Sequence, residues 1–508
     1  KLEATDDTSR RLVLLTPHNE ALRYEMSRGF RGYLKQRGLP PVTLDWRSPG
    51  GTTELMRYLS SEYRSAFEQY FAKETGTSLT ERGAQAFADP KQKTEGDDEP
   101  ARARRLFMSS NVGIKIDVLF GGGSYDFSQH AAAGRLVDSG VIAKHPELFG
   151  DGGIPHTVGG EPYWDKQGRW IGTCVSGFGI CYNVEALAQL GIARPPTRWA
   201  DLADPRLAGH VALADPSKSG SANKAFELII QQQMSAALSH AGSPAAGSPA
   251  ELSALASGFD DGMRLIRKIG GVSRYFSDQA GKVAQDVQNG SAAVGMCIDF
   301  YGRFESDTEG PGQRLKFVLP EGGTSMGADA IGLLRGAPAA ELGRTFIEFV
   351  LSPEGQALWA YKRGVPGGPE RYALRRTPIL PELFEPSRRA LRSDPDDNPY
   401  LNARSFTYRA AWTAPLFRAL SFVIRVMCVD TEEELHEASA ELERAKNPPR
   451  ARAAFDDMSL VSYAVIKNEI APALASGEPL REVALQNRLV TALKHQYEQV
   501  SALARSGQ

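Results

Sequence analysis

The sequence predicts an α/β protein of two lobes built on mostly parallel sheets, followed by a helical C-terminal extension. Three observations carry this. Before residue 140 an apolar strand, a polar or glycine-rich loop and an amphipathic helix recur in that order three times. A second series of short apolar runs follows between about residues 170 and 334, and from about Thr377 the chain turns to helical stripes joined by polar loops. At 508 residues the chain is also too long for one hydrophobic core.

The first unit is Leu12-Val13-Leu14-Leu15, a loop carrying His18, and a helix with Leu22, Met26, Phe30 and Tyr33 on one face. The second is Val42-Thr43-Leu44-Asp45-Trp46, the loop Gly50-Gly51-Thr52, and a stripe of Leu55, Leu59, Tyr63 and Phe67. The third is Ile116-Asp117-Val118-Leu119-Phe120 running into Gly121-Gly122-Gly123-Ser124. In a parallel sheet these three loops share the carboxyl edge, where ligands bind, and their glycines let backbone amides approach one closely. Taken singly, each loop is equally an ordinary tight turn.

The run from Trp170 to Asn183 alternates as a strand crossing between lobes and passes through Ser176. The stretch Asp215 to Lys224 then reads as strand, turn and helix start. Ser219, Gly220 and Ser221 would offer hydroxyls and unpaired N–H groups at the positive end of a helix dipole, an anion site in outline or a plain Ser N-cap. Ala292 to Ile298 delivers Asp299 and Tyr301 to a strand end, and a return strand begins at Asp329.

The expected divisions are 1–175 for the first lobe, with a polar surface insertion at about 82–105, and 176–325 for the second, with a flexible loop at about 236–257. Residues 326–376 return to the first lobe, and 377–508 form the helical extension. Trp412 to Val429 is apolar but interrupted by Arg418 and Arg425, which favours a docked amphipathic helix over a membrane span.

Lysine and arginine total 59 against 61 aspartate and glutamate, so the formal charge of -2 gives no electrostatic case for nucleic acid. Four cysteines without C-x-x-C spacing imply structural thiols and no zinc knuckle or dithiol redox pair. The opening residues 1–7 lack the apolar core of a signal peptide, so a leader is expected to be absent from the numbered chain.

The order of the first strand with its His18 loop, Asp117-Val118-Leu119-Phe120, the Ala293-Val294-Gly295 strand and Leu351-Ser352-Pro353-Glu354-Gly355-Gln356 resembles the periplasmic solute-binding proteins of ABC transporters (extracellular solute-binding family 1), closest to the ferric-ion-binding cluster. The resemblance covers about residues 11–378. It implies a two-lobed type 2 periplasmic-binding-protein fold that closes by a hinge on a small ligand. It also implies an ABC permease as partner, a periplasmic or envelope-anchored location, a monomer, no cofactor and no catalysis.

His18 falls where ferric-binding members place a histidine ligand. Their glutamate position is occupied here by Gly121 to Ser124, and their paired tyrosines align with Asp299 and Phe300. A ferric site would rest on His18, Asp299 and Tyr301, a thin set for a hard cation. The favoured ligand is a small organic anion, a phosphorylated sugar or a phosphonate. Its candidate contacts are His18, Gly50, Gly51, Thr52, Gly122, Gly123, Ser124, Ser176, Ser219, Gly220, Ser221, Asp299, Tyr301 and Asp329. In this set Asp299 would face a ligand hydroxyl or ammonium. The competing readings are a ferric-binding protein, a sensor subunit feeding a receptor, and an enzyme with Cys297 or Cys174 as nucleophile and His18 as base.

Overall fold

Strands form where β-branched and leucine-rich runs can be buried on both faces, and the chain supplies fourteen among the described residues. The computed structural model describes residues 10–306, 314–476 and 478–507; residues 1–7 lie outside them. In order the strands are β1 (Arg11–Leu15), β2 (Thr43–Arg47), β3 (Val118–Gly123), β4 (Leu136–Val137), β5 (Thr157–Val158), β6 (Glu161–Pro162) and β7 (Ile171–Ser176). There follow β8 (Phe178–Asn183), β9 (Val211–Ala214), β10 (Ser273–Ser277), β11 (Val294–Ile298), β12 (Leu315–Val318), β13 (Gly327–Leu334) and β14 (Thr377–Pro378).

The chain divides into two compact units, residues 1–176 with 326–402, and residues 177–325 with 403–508. In the first, the sheet order is β14-β7-β13-β3-β1-β2, with β4 also on β13. In the second it is β10-β9-β11-β8-β12. Both sheets are mixed, which corrects the expectation of mostly parallel sheets. Strands joined by helices do run parallel, β2 and β3 flanking β1 and β10 and β11 flanking β9. The chain passes from one unit to the other between β7 and β8 and again before β13. The strands at these crossings pair antiparallel to their neighbours.

In the first unit the helices α1 (Glu20–Gln36) and α2 (Thr52–Thr75) follow β1 and β2 as the apolar spacing requires. The stretch at 82–105, expected as a poorly ordered insertion, is instead taken up largely by α3 (Glu81–Ala86) and the first part of α4 (Glu99–Ser109). Thr80 and Asp98 cap them by accepting from the Gly83 and Ala101 amides. Phe87, Ala103 and Phe107 are buried in the same core as Phe67 and Phe71. A few well-placed apolar side chains outweigh the segment's polar average. The helix after β3, α5 (Ser124–Ala132), begins directly at the end of the strand.

In the second unit, residues 236–257 are not a flexible loop. Helices Gly220–His240 and Pro249–Val272 pack together and leave a connection of eight residues, 241–248. Ser248 caps the second helix by accepting from the Glu251 amide, and Pro249 takes its first position, so the Ser-Pro pair that read as loop is a helix start.

The tail drawn from 377 onward as one extension is divided: 377–402 belongs to the first unit and 403–508 to the second. Leu420, Val423, Leu435, Leu493 and Tyr497 share one hydrophobic core with Phe226, Ile230, Phe259 and Ile266. A buried polar knot fixes the junction. Glu227, fully buried, accepts from Tyr408 Oη at 2.9 Å and Thr413 Oγ1 at 2.6 Å, and Lys224 Nζ lies 3.0 Å from its other oxygen. Ala410–Cys428 has the length and apolarity of a membrane span, but Leu416, Leu420, Val423, Ile424 and Met427 are core residues, so it is a docked helix.

Candidate functional site

The carboxyl ends of β1, β2 and β3 lie at one edge of the first unit's sheet because the three strands run parallel in register. Asn19 caps α1 by accepting from the Leu22 amide; Gly51 and Gly123 stand at the N-caps of α2 and α5 without a side-chain bond. The loops meet through their glycines. Gly121 and Gly122 have φ of +98° and +126°, and a Cβ on Gly121 would sit 2.6 Å from the His18 ring. A Cβ on Gly122 would sit 3.3 Å from Thr52 Cγ2 and from Met56 Cε. Glycine suits both positions on conformational grounds, and at Gly121 on steric grounds as well.

His18, Asp329 and Arg376 form a buried cluster at this edge. Arg376 Nη1 donates to Asp329 Oδ2 at 2.7 Å and to His18 Nε2 at 3.3 Å, and the Gly122 amide donates to Asp329 Oδ1. Since Arg376 supplies the proton at Nε2, the ring carries its own proton on Nδ1, which faces Thr16 Oγ1 at 2.9 Å. Burial pushes His18 down to about 4, and the charges of Arg376 and Arg23 add to the depression against Asp329. The imidazole is therefore neutral. Burial opposes the Asp329 charge, but the neighbouring His18, Arg376 and the Gly122 amide hold its carboxyl well below the usual carboxylate range.

Arg23, one turn into α1, acts on His18 through its charge yet makes no side-chain hydrogen bond or ion pair among the described residues, and its Nε is buried without a partner. With Asp329 balancing Arg376 and His18 neutral, Arg23 leaves this cluster with one uncompensated positive charge. Asp126, in the first turn of α5, also has no partner among the described residues, and burial pushes its carboxyl up to about 7. Ser176 Oγ, at the end of β7, is buried and unpartnered too. Unpaired buried polar groups are uncommon in native structures, and Arg23 Nε and Ser176 Oγ are two of those in this unit, with the half-buried Asp126 carboxyl beside Ser124 at the start of α5.

The structure thus brings His18, Thr52, Gly122 and Asp329 together, and Gly50, Gly51, Gly123 and Ser124 stand at the helix starts of the same edge. In the second unit the Ser219 hydroxyl accepts from the Ala222 amide at 3.2 Å and shares a hydrogen bond with Ser221 Oγ at 3.0 Å, while Gly220 is the first helical residue. This turn is a built N-cap.

Asp299, read as the carboxylate facing a ligand hydroxyl or ammonium, is 1% exposed. Its oxygens accept from the Gly177 amide at 3.1 Å and the Phe300 amide at 2.7 Å, with Arg303 at 3.7 Å, so it holds the strand end in place. Tyr301 packs its ring on Phe300 and over Gly281.

A ferric ion would compete with Arg376 for His18. The Nε2 lone pair a metal would use accepts from a guanidinium, and a second arginine stands nearby. Among the described residues no three His, Cys, Asp or Glu groups cluster as metal ligands. All four cysteines are buried, and Cys297 is held protonated by its Cys181 neighbour and by burial, which removes the thiolate a nucleophile needs.

Residues 114–379, just over half the chain, match the family of bacterial extracellular solute-binding proteins, and the chain belongs to that family. An uncharacterised protein of Haemophilus influenzae is 28% identical over 190 residues, 37% of this chain and 46% of that protein. The phosphoglycerate transport regulatory protein PgtC of Salmonella typhimurium is 25% identical over 276 residues, 54% of this chain and 59% of that protein. The chain thus spans about half the length of the curated relatives it matches. Among solved structures, the periplasmic binding protein AfuA of Actinobacillus pleuropneumoniae with fructose-6-phosphate is 18% identical, covering 73% of this chain and 86% of that chain at a TM-score of 0.48.

Proposed function

We propose that this protein is the solute-capturing subunit of an ABC importer, working in the periplasm or at the envelope as a monomer, and that its solute is a small organic anion bearing a phosphate or phosphonate. The observation that carries the reading is the uncompensated charge of Arg23 beside neutral His18, at an edge where the α2 and α5 starts present Thr52 and Ser124. A guanidinium with free donors and helix N-termini favour an oxyanion. The name of the Salmonella relative, which speaks of phosphoglycerate, supports the same chemistry. Asp126, in place of Asp299, accepts from a ligand hydroxyl, with Ser176 as a further contact. The chain closes on the ligand once these contacts form.

Isothermal titration calorimetry with phosphoglycerates, hexose phosphates and a phosphonate tests this. A charge-assisted hydrogen bond contributes about 1.5–3 kcal/mol, so Arg23→Ala should weaken the best ligand by roughly 10- to 150-fold. Tight ferric binding lost in His18→Ala, with indifference to every phosphate ester, would reject the organic anion in favour of iron. A second reading, a sensor that reports the same solute to a receptor, is favoured by the word regulatory in the Salmonella name. Transport restored by this chain with a permease alone would exclude it.

A further inference from the structure

Away from the ligand edge, the first unit gathers three arginines around the C-terminal end of α5. Arg104 donates to the carbonyls of Ala132, Ala133 and Phe87, and Arg335 donates to those of Gly134, Ser110 and Met108. Among the described residues the Arg135 side chain donates to His130 Nδ1, at 3.1 Å, and its Nε is buried without a partner. No carboxylate lies within ion-pair distance of any of the three among the described residues. Tyr63 donates to the Arg335 carbonyl at 2.7 Å and reaches the Arg135 carbonyl at 3.3 Å, which holds the two segments together.

Burial lowers the pKa of all three guanidiniums, and His130, pushed down to about 3 by burial and by Arg135, stays neutral and adds no charge. Guanidiniums gathered at a helix C-terminus benefit from the negative end of its dipole, but that end carries only about half a charge. The Asp89 carboxylate acts on Arg104 through its charge, and against three guanidiniums it leaves the cluster with an excess of positive charge.

Beside Arg135 lies an open pocket of about 420 Å³ lined by Ser60, Ser61, Arg64, Gln85, Asp89 and Arg135. Ser60 to Arg64 sit two to three turns along α2 from its start, and Arg135 lies beyond the far end of α5. At about 1.5 Å per residue this is roughly 12–18 Å from the ligand edge. Arg64 is held by Glu68 and Glu81, and Asp89 accepts from the Lys91 amide, so these two shape the rim. The Gln85 amide, which gives one hydrogen to Glu81 at 3.4 Å and keeps a second, and the Ser61 hydroxyl supply further donors.

We infer that this pocket is a second anion site, taking a small oxyanion of the phosphate class on Arg135, Gln85 and Ser61, separate from the solute site. Such an anion would neutralise the buried cluster and stabilise the unit that holds it.

The test uses the full chain carrying Arg23→Ala and inorganic phosphate as the probe, followed by calorimetry and thermal unfolding. The expected result is saturable binding of close to one phosphate per chain and a rise in Tm with phosphate. Adding Gln85→Glu, an exposed substitution that places a negative charge at the pocket, should weaken that binding more than tenfold, and Arg135→Gln should do the same. Should Arg135→Gln fail to fold, Gln85→Glu alone decides. Absence of saturable binding in the Arg23→Ala chain, or binding indifferent to Gln85→Glu, would overturn the inference. Loss of phosphoglycerate binding in Arg23→Ala bears only on the solute site, so the two readings fail separately.

Discussion

Asp329→Asn is the most informative perturbation of the buried cluster. The substitution keeps the shape but removes the charge that Arg376 approaches at 2.7 Å and that accepts from the Gly122 amide. Arg376 is 8% exposed and would lose the carboxylate it approaches while staying buried beside a neutral imidazole. Breaking a buried pair from one side costs about 3–5 kcal/mol. For a folding unit of about 250 residues that corresponds to a fall in Tm of roughly 6–20 °C.

The second half of a double-mutant cycle, Arg376→Met, removes the cation as well. The double variant should recover much of the loss, with a coupling of about 1–3 kcal/mol. Thermal unfolding of the four proteins at pH 7 measures it. The carboxyl is depressed in the folded state, so its contribution is present above the unfolded value of 3.8 and fades as pH falls below that. Equal Tm for Asp329→Asn and the parent, or strictly additive losses in the double variant, would refute the reasoning.

His18, neutral in the fold at about 4 but protonated in the unfolded chain below 6.5, contributes stability that is complete above 6.5 and is lost as pH falls towards 4. The difference between parent and His18→Gln in urea unfolding should therefore grow with pH across that window, by at most about 1.4 kcal/mol per unit. Asp126 runs the opposite way: its raised pKa means the unfolded chain loses its proton first, so stability falls as pH rises from about 4 to 7. Without ligand, Asp126→Asn should gain on the order of 1–3 kcal/mol at pH 8 and nothing near pH 4, and a gain independent of pH would reject the assignment. Leu493→Ala, at a fully buried tail position, should cost about 2–5 kcal/mol. A chain ending at Asn402 that kept the second unit's cooperative unfolding would show that residues 403–508 are not part of its core.

Periodicity and caps in the sequence determined the strands β1, β2 and β3, the glycine loop that ends β3 and the helix start at Ser219, because each depends on neighbours within a few residues. His18 was legible from its loop. Arg23 left one local sign, a cation in the early turns of a helix where the dipole disfavours it. Arg376 left none: it meets Asp329 and His18 across 47 and 358 positions of chain, and only the fold brings them together. Tertiary structure likewise decided that residues 82–105 dock through Phe87 and Ala103, that 236–257 are two helices around a short connection, and that the tail completes the second core. Local polarity cannot report where a distant surface waits to bury an apolar side chain. Asp299 shows the converse, since a carboxylate at a strand end looks like a ligand contact until the backbone amides that occupy it are placed.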